Sequence, residues 1–536
     1  MKIENDLEIP MRDGARLMAD VFRPSSGERV PVILNLGVYQ KDKLWTPPTD
    51  LEEDPNPHMV WETANPQWWV PHGYALVRVD ARGSGRSAGR SNPWSPDEAR
   101  DLYDAIEWAA RQPWCNGAVG LSGISYYAIN QWLVANLQPP SLKAMIPWEG
   151  AADMYRDFAF HGGLFSFGFA VNWYHSQMAN HLLGKPQAYA TDSFSGDWIW
   201  DYMRHNLDSD WYHGRRANWD AINVPFLSAG NWSGMGLHLR GNCEAFMCSP
   251  HSHNKLRLHA GTHIHPFHSE EGRKDQLRFF DYWLKGIDNG VMHEPPVKLQ
   301  IRKGGHGNYE WRQEHEWPLK RTRWTRMYLG PDGSLAPTAS KTAGEISYSA
   351  SMMTKMGIAT GTFSAGAAAS AAGGASFQTE PFAEETEVTG PVALSLWVSS
   401  STEDLDIFVT LRNIGPDGND VFEMGQQGQP VPVAKGWLRA SHRRLDTERS
   451  LPFRPYHCHS ERQWLTPNEP VQVQVEIWPT CMVFAPGHRL RIDIQPRDGL
   501  GSTPYTHFNG DYNTGTNTLH VGGRYDSYLL LPIIPG

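Results

Sequence analysis

The run Gly123-Ile124-Ser125-Tyr126-Tyr127-Ala128 joins an apolar segment to one of helical character. A serine there can act as a nucleophile if it sits on a sharp strand-to-helix turn, and small flanking residues let the backbone bend that tightly. Gly123 supplies one, two positions before Ser125. Two positions after, Tyr127 departs from the usual glycine, and the small residue comes at Ala128. Ser122 follows Gly120 by two, but the branched Ile124 behind it makes it the poorer candidate. The competing reading is an ordinary turn in a chain of 50 glycines. A serine hydroxyl needs an imidazole to take its proton, and the imidazole needs a carboxylate to orient it. In the chain order serine, acid, histidine, the base falls in a late loop. Here that loop reads His259-Ala260-Gly261-Thr262-His263-Ile264-His265, so His263 and His265 are both in range. His263 is preferred as the first histidine after Gly261. A metal reading of the histidines between 251 and 268 is disfavoured, because ligands bunched in one strand and loop would still need a shaped site with outer acceptors.

The elements that must hold these groups alternate. Apolar runs at Val30–Asn35, Tyr74–Asp80, up to Ser122, and Leu142–Pro147 read as strands. Between them, Ser95 with Pro96 and Glu98 marks a helix start, and Leu102, Ala105, Ile106 and Ala109 give its apolar stripe. A second helix runs from about Tyr126 to Leu137. Such alternation predicts a mostly parallel sheet. The rhythm stops at Gly150, where 151–223, rich in Phe and Trp, reads as a mainly helical cap, and it resumes over 224–294. Core segments 1–150 and 224–294 therefore enclose the cap. From 295 to 536, period-two segments such as Val297–Arg302, Val392–Trp397 and Val471–Trp478 predict an all-β sandwich of jelly-roll type.

The chain has 536 residues, 40% hydrophobic and 20% charged, with net charge −10 and no basic stripe, which excludes nucleic acid as a partner. Five dispersed cysteines are too few for a disulfide framework and fit a reducing compartment. An acidic start and the lack of any long apolar run lead to the expectation of a cytoplasmic protein with no membrane partner.

Tyr74–Asp80 followed by Ala81-Arg82-Gly83-Ser84-Gly85-Arg86-Ser87-Ala88-Gly89 resembles the D-x-R-G…S-x-G segment of cocaine esterase-like hydrolases. That group is related to α-amino-acid ester hydrolases and X-Pro dipeptidyl-peptidases of the S15 family. Glu98–Trp132 and the ending Gly522-Gly523-Arg524-Tyr525-Asp526-Ser527 to Pro535 are similar to theirs, so the likeness spans nearly the whole chain. It implies an α/β-hydrolase core, a helical cap and a C-terminal jelly roll. It puts the elbow serine on Ser125 and the oxyanion hole on the Tyr126 N–H with the Tyr39 hydroxyl. It also implies a tendency to self-associate as a homo-oligomer. The competing reading of Tyr39 is a buried tyrosine satisfied elsewhere. The acid departs from the family pattern, because Gly230-Asn231-Trp232-Ser233-Gly234 carries Ser233 at the expected Asp position. Glu149, just past the strand after the elbow helix, is the expected replacement, with Asp153 as the alternative and a mere capping role for Glu149 as the competing reading. Aligning by the family pattern would favour His265 as the base.

The expectation is an acyl esterase acting on a small-molecule ester through Ser125, His263 and Glu149, requiring neither metal nor organic cofactor. An aminopeptidase or β-lactam acylase would need a carboxylate cluster for a free α-amino group, for which Asp153, Asp157 and Asp192 are candidates. A non-catalytic binding protein is the rival from another class.

Overall fold

The computed structural model describes residues 1–43, 45–178, 198–350, 373–499, 505–507 and 514–536. Its first sheet has ten strands, β1 (Lys2–Pro10), β2 (Arg16–Arg23), β3 (Val30–Gly37), β4 (Ala75–Asp80), β5 (Cys115–Ile124), β6 (Leu142–Trp148), β7 (Leu227–Asn231), β8 (Lys255–His259), β9 (Val297–Arg302) and β10 (Tyr309–Glu314). They lie in the order 1-2-4-3-5-6-7-8-9-10. From β4 across to β9 every neighbouring pair is parallel. Helices cover both faces of such a sheet, so its central strands are apolar throughout, as every residue of β3 and β4 is buried. The carboxyl ends of the parallel strands therefore share one edge, the place where α/β sheets hold their ligands.

Ser95 caps the helix Pro96–Ala110 by accepting from the Glu98 N–H at 3.2 Å. Glu98 closes the turn on the Trp94 N–H at 3.3 Å, one residue before the reciprocal contact its spacing predicts. Its other oxygen accepts from the Tyr126 hydroxyl, tying this helix to the start of the elbow helix.

The segment after β6 forms a π-helical turn (Met154–Ala159), two short strands and the helices Phe167–Trp173, Trp198–Arg204 and Asp210–His213. Its aromatic rings pack on one another and on the core: Trp94 stacks on Trp173 at 4.9 Å, and Phe158, Trp198 and Tyr202 lie within 6 Å of one another. Tryptophan is abundant here because wide rings fill the space between cap and sheet.

The C-terminal part is an antiparallel β domain built on the long pair Thr386–Ser400 and Val471–Phe484. Val473, Val475 and Ile477 are buried while the alternating Gln472, Gln474 and Glu476 are more open, as a half-buried strand requires. Val297–Arg302, expected to open this domain, is instead β9, parallel to β8 in the first sheet, with β10 returning antiparallel beside it. Its alternation of Val297, Leu299 and Ile301 suits either sheet equally, and local pattern carries no information about the pairing partner. Buried Arg302 then reaches into the β domain, donating to the Cys481 carbonyl at 2.8 Å and to Thr480 Oγ1 at 2.9 Å. All five cysteines are free thiols. Among the described residues no helix is long and apolar enough to cross a membrane.

Candidate active site

β5 runs two residues further than its apolar pattern suggests and delivers the chain directly to Ser125. Ser125 has φ 54° and ψ −106°, a conformation costly for any residue with a Cβ and held by the surrounding bonds. Its N–H donates to the Trp148 carbonyl at 2.9 Å, and its own carbonyl accepts from Ala128 and Ile129 in the first turn of the helix Tyr126–Ala135. Tyr127 fits where a glycine is usual because its neighbours gave up their side chains. A Cβ on Gly37 would fall 2.4 Å from Tyr127 Cε1, and one on Gly123 would fall 2.4 Å from Tyr127 Cβ. Ala128 must be small for a related reason, since a Cβ on Gly150 would lie 2.7 Å from its own.

The hydroxyl of Ser125 lies 3.0 Å from Nε2 of His238, a residue of the turn that follows β7. His238 Nδ1 lies 2.9 Å from Gln426 Oε1. Gln426 belongs to a hairpin of the β domain between Glu423–Met424 and Pro430–Val431, and its Nε2 donates to Glu149 Oε2. Glu149, one residue past β6 with φ 55°, is fully buried. It accepts from His263 Nδ1 at 2.6 Å, His259 Nε2 at 2.9 Å and Asn231 Nδ2 at 2.9 Å, so with Gln426 its acceptor sites are filled. His263 Nε2 lies 2.9 Å from buried Glu62 Oε1.

The structure thus brings Ser125, His238, Gln426, Glu149 and His263 into one connected cluster. Ser125 Oγ is bonded to His238, whereas His263 lies between the carboxylates of Glu149 and Glu62. His265, the other histidine in range, pairs with Glu52 at 3.0 Å in a half-exposed position. Asp153 is bonded to the Tyr155 and Arg156 N–H groups and to the Arg156 guanidinium at 2.8 Å. Ser233, at the family's acid position, is buried and has no carboxylate to offer.

Electrostatics separates the two histidines, whose rings stack 4.8 Å apart. Burial and the neighbouring His263 charge push the His238 imidazole down to about 3, which keeps it neutral with one ring nitrogen lone pair unprotonated. Burial disfavours the His263 charge too, but the adjacent Glu149 and Glu62 carboxylates overcome it and raise that group to about 10. His263 is therefore an imidazolium at neutral pH. Glu149 is in turn held down to about 2, the His263 charge and the His259 and His263 bonds outweighing its burial.

Tyr39, two residues past β3, is buried, and its oxygen accepts from Trp173 Nε1 at 2.9 Å. That bond uses a lone pair and not the phenol proton, and burial raises the phenol well above its usual range, so it stays protonated. The Tyr126 N–H opens a helix, where the first amides have no partner within the helix. A cavity of about 600 Å³ adjoins these groups, walled by Trp61, Phe169, Trp173 and Tyr505 and by the Gln426 loop.

Reading the sequence missed His238, Gln426 and Glu62. In the loop after β7 the family pattern calls for an acid, and the histidine five residues past Ser233 is the available signal. Gln426 and Glu62 carry no local signal at all, since each acquires its role through a contact distant in sequence.

Two family profiles match the chain. X-Pro dipeptidyl-peptidase (S15 family) covers residues 13–265, and the X-Pro dipeptidyl-peptidase C-terminal non-catalytic domain covers 289–530. Cocaine esterase of Rhodococcus sp. is 25% identical across 99% of this chain and 98% of its own length. An aminopeptidase from the archaeon Thaumarchaeota shares the fold at TM-score 0.76, with 18% identity over 100% of this chain and 96% of its own. The crystal structure of a CocE/NonD family hydrolase from Staphylococcus aureus superposes at TM-score 0.89, with 32% identity over 99% of this chain and 93% of its own. With an α/β-hydrolase core, an all-β C-terminal domain and a serine at the elbow, the chain belongs to the CocE/NonD family of hydrolases.

Proposed function

We propose that this protein is a serine hydrolase that cleaves carboxylic esters of small molecules through an acyl-enzyme on Ser125, with His238 as general base and acid. The observation that carries this reading is the 3.0 Å contact between Oγ of Ser125, on its strained elbow, and Nε2 of a neutral, buried His238. His238 Nε2 takes the hydroxyl proton as Oγ bonds to the substrate carbonyl carbon, and the carbonyl π electrons move to oxygen. The Tyr126 N–H and the Tyr39 hydroxyl are the donors proposed for that oxyanion, each such donor being worth about 10²–10³ in rate. Collapse expels the alcohol, which leaves with the proton from His238, and water repeats the sequence to release the acid. The base differs from the sequence expectation, since His263 already holds a proton between two carboxylates.

An amide-cleaving reading has one observation in its favour. Glu62 lines the cavity, and its buried Oε2 has no hydrogen-bond partner among the described residues, so a carboxylate is at hand for a substrate ammonium. The carboxylates expected for that task are engaged elsewhere, Asp153 by Arg156 and Asp157 by Arg240. Asp192 lies outside the described residues.

Labelling with a fluorophosphonate, followed by peptide mapping of wild type and Ser125→Ala, tests the nucleophile. A single adduct on Ser125, absent from the variant, is expected; no adduct under conditions that label a control hydrolase would favour a binding protein. The base is tested by the pH dependence of kcat/KM for p-nitrophenyl butyrate, which reports groups of the free enzyme. A lowered imidazole value means activity is lost only as pH falls toward about 3, so the rate should be level from pH 5 to 8. An acid limb centred near 6.5, the ordinary imidazole value, would contradict the lowered His238 value, and one rising toward 10 would speak for His263 as the base.

A further inference from the structure

We propose that Gln426, a residue of the domain the family profile calls non-catalytic, positions the catalytic base: it holds His238 in the tautomer that can take the Ser125 proton and joins that imidazole to Glu149. This rests on the reading of Ser125 and His238 given above. Glu149 Oε2 stands 4.0 Å from His238 Nδ1, beyond hydrogen-bond reach. The Gln426 amide spans the gap, with Oε1 at 2.9 Å from Nδ1 and Nε2 on the carboxylate.

Hydrogen-bond chemistry fixes each end. An ionised carboxylate only accepts, so the amide nitrogen must face Glu149 and the amide oxygen must face His238. An oxygen opposite Nδ1 requires the ring proton there, which leaves the Nε2 lone pair for the serine hydroxyl. Reversing the amide would set oxygen against carboxylate and turn the ring to its Nε2–H form, which cannot accept from Ser125. The side chain is buried, and the loop is anchored at the same point, because the Gln426 carbonyl accepts from the His263 N–H at 2.9 Å. Glu149 thus fixes the amide, the amide fixes the imidazole, and the β domain supplies the connecting piece.

The test compares wild type, Gln426→Met and Gln426→Glu with p-nitrophenyl butyrate. Methionine fills similar space without either bond, and a roughly 10²-fold fall in kcat with KM within threefold is expected. The glutamate variant adds a second carboxyl beside Glu149, and two carboxyls so close share a proton at acidic pH. The protonated group offers O–H to Glu149 and a carbonyl to His238, the pattern of the native amide. That variant should therefore regain activity toward low pH, where wild type stays level. A methionine variant within threefold of wild type in kcat, or one changed only in KM, would overturn the proposal. So would a glutamate variant whose kcat does not rise as pH is lowered. Fluorophosphonate labelling of wild-type Ser125 in the same preparations separates the two readings. If wild type labels, such a result overturns the Gln426 proposal alone; if it does not, the serine-hydrolase reading has failed first.

Discussion

Replacing His238 with glutamine is expected to lower kcat for p-nitrophenyl butyrate by about 10⁴–10⁶-fold and to abolish fluorophosphonate labelling of Ser125. Losing the base of a serine nucleophile costs this much because the residual rate comes only from binding and oxyanion stabilisation. His263→Gln should cost much less in chemistry, on the order of 10–100-fold, since that ring touches the base by stacking and not the serine by a hydrogen bond. The contrast between the variants is the informative quantity, and titration of the serine by active-site labelling measures it free of substrate effects. If His238→Gln keeps more than a tenth of wild-type activity while His263→Gln is dead, the base is His263 and the contact at Ser125 is incidental.

The second large effect is expected at Glu149, where one carboxylate receives four donors. Glu149→Gln should lower kcat by up to about 10⁴-fold, by analogy with acids converted to amides in serine triads. It should also destabilise the fold by about 3–5 kcal/mol, the usual result of removing one partner from a buried ion pair. The amide would turn donor hydrogens toward groups that are themselves donors, with His263 left on Glu62 alone. The pH dependence of stability gives a separate signature. The depressed Glu149 value contributes stability that is present above about pH 4.5 and lost as pH falls through about 2. The raised His263 value contributes stability that is fully present below about pH 6.5 and lost as pH rises through about 10. Wild type should therefore lose stability between pH 7 and 10 relative to the variant, and thermal unfolding across that range checks it. A loss of less than tenfold in kcat with an unchanged alkaline slope would remove Glu149 from both roles.

Much of the scaffold was legible because it is written locally. The alternation of apolar runs with capped helices gave the parallel sheet, and Gly123 with Ser125 gave the elbow. Even the departure at Tyr127 has a reason visible only in three dimensions, namely the space left by Gly37 in another strand. Within the proposed site, the sequence points to residues that lie at or just past a strand end, as Ser125, Glu149 and Tyr39 do. A role was hidden where it depends on which side chain wins a contact. The place of His263 in the chain suggests a base, and its contact with the Glu62 carboxylate, two hundred residues away, is what favours His238 in the proposed site. Gln426 lies in a hairpin whose sequence has no feature beyond a glycine-rich turn.

The placement of β9 and β10 in the first sheet has a consequence for how the molecule can be divided. A cut at residue 294 would strip the two outermost strands from the catalytic sheet and leave β8 as a raw edge, open to pairing with other chains. It would also carry off Gln426 and the buried arginine of β9. The boundary that a family profile draws between a catalytic and a non-catalytic part is thus a seam in sequence only, and mechanically the two halves are riveted across it.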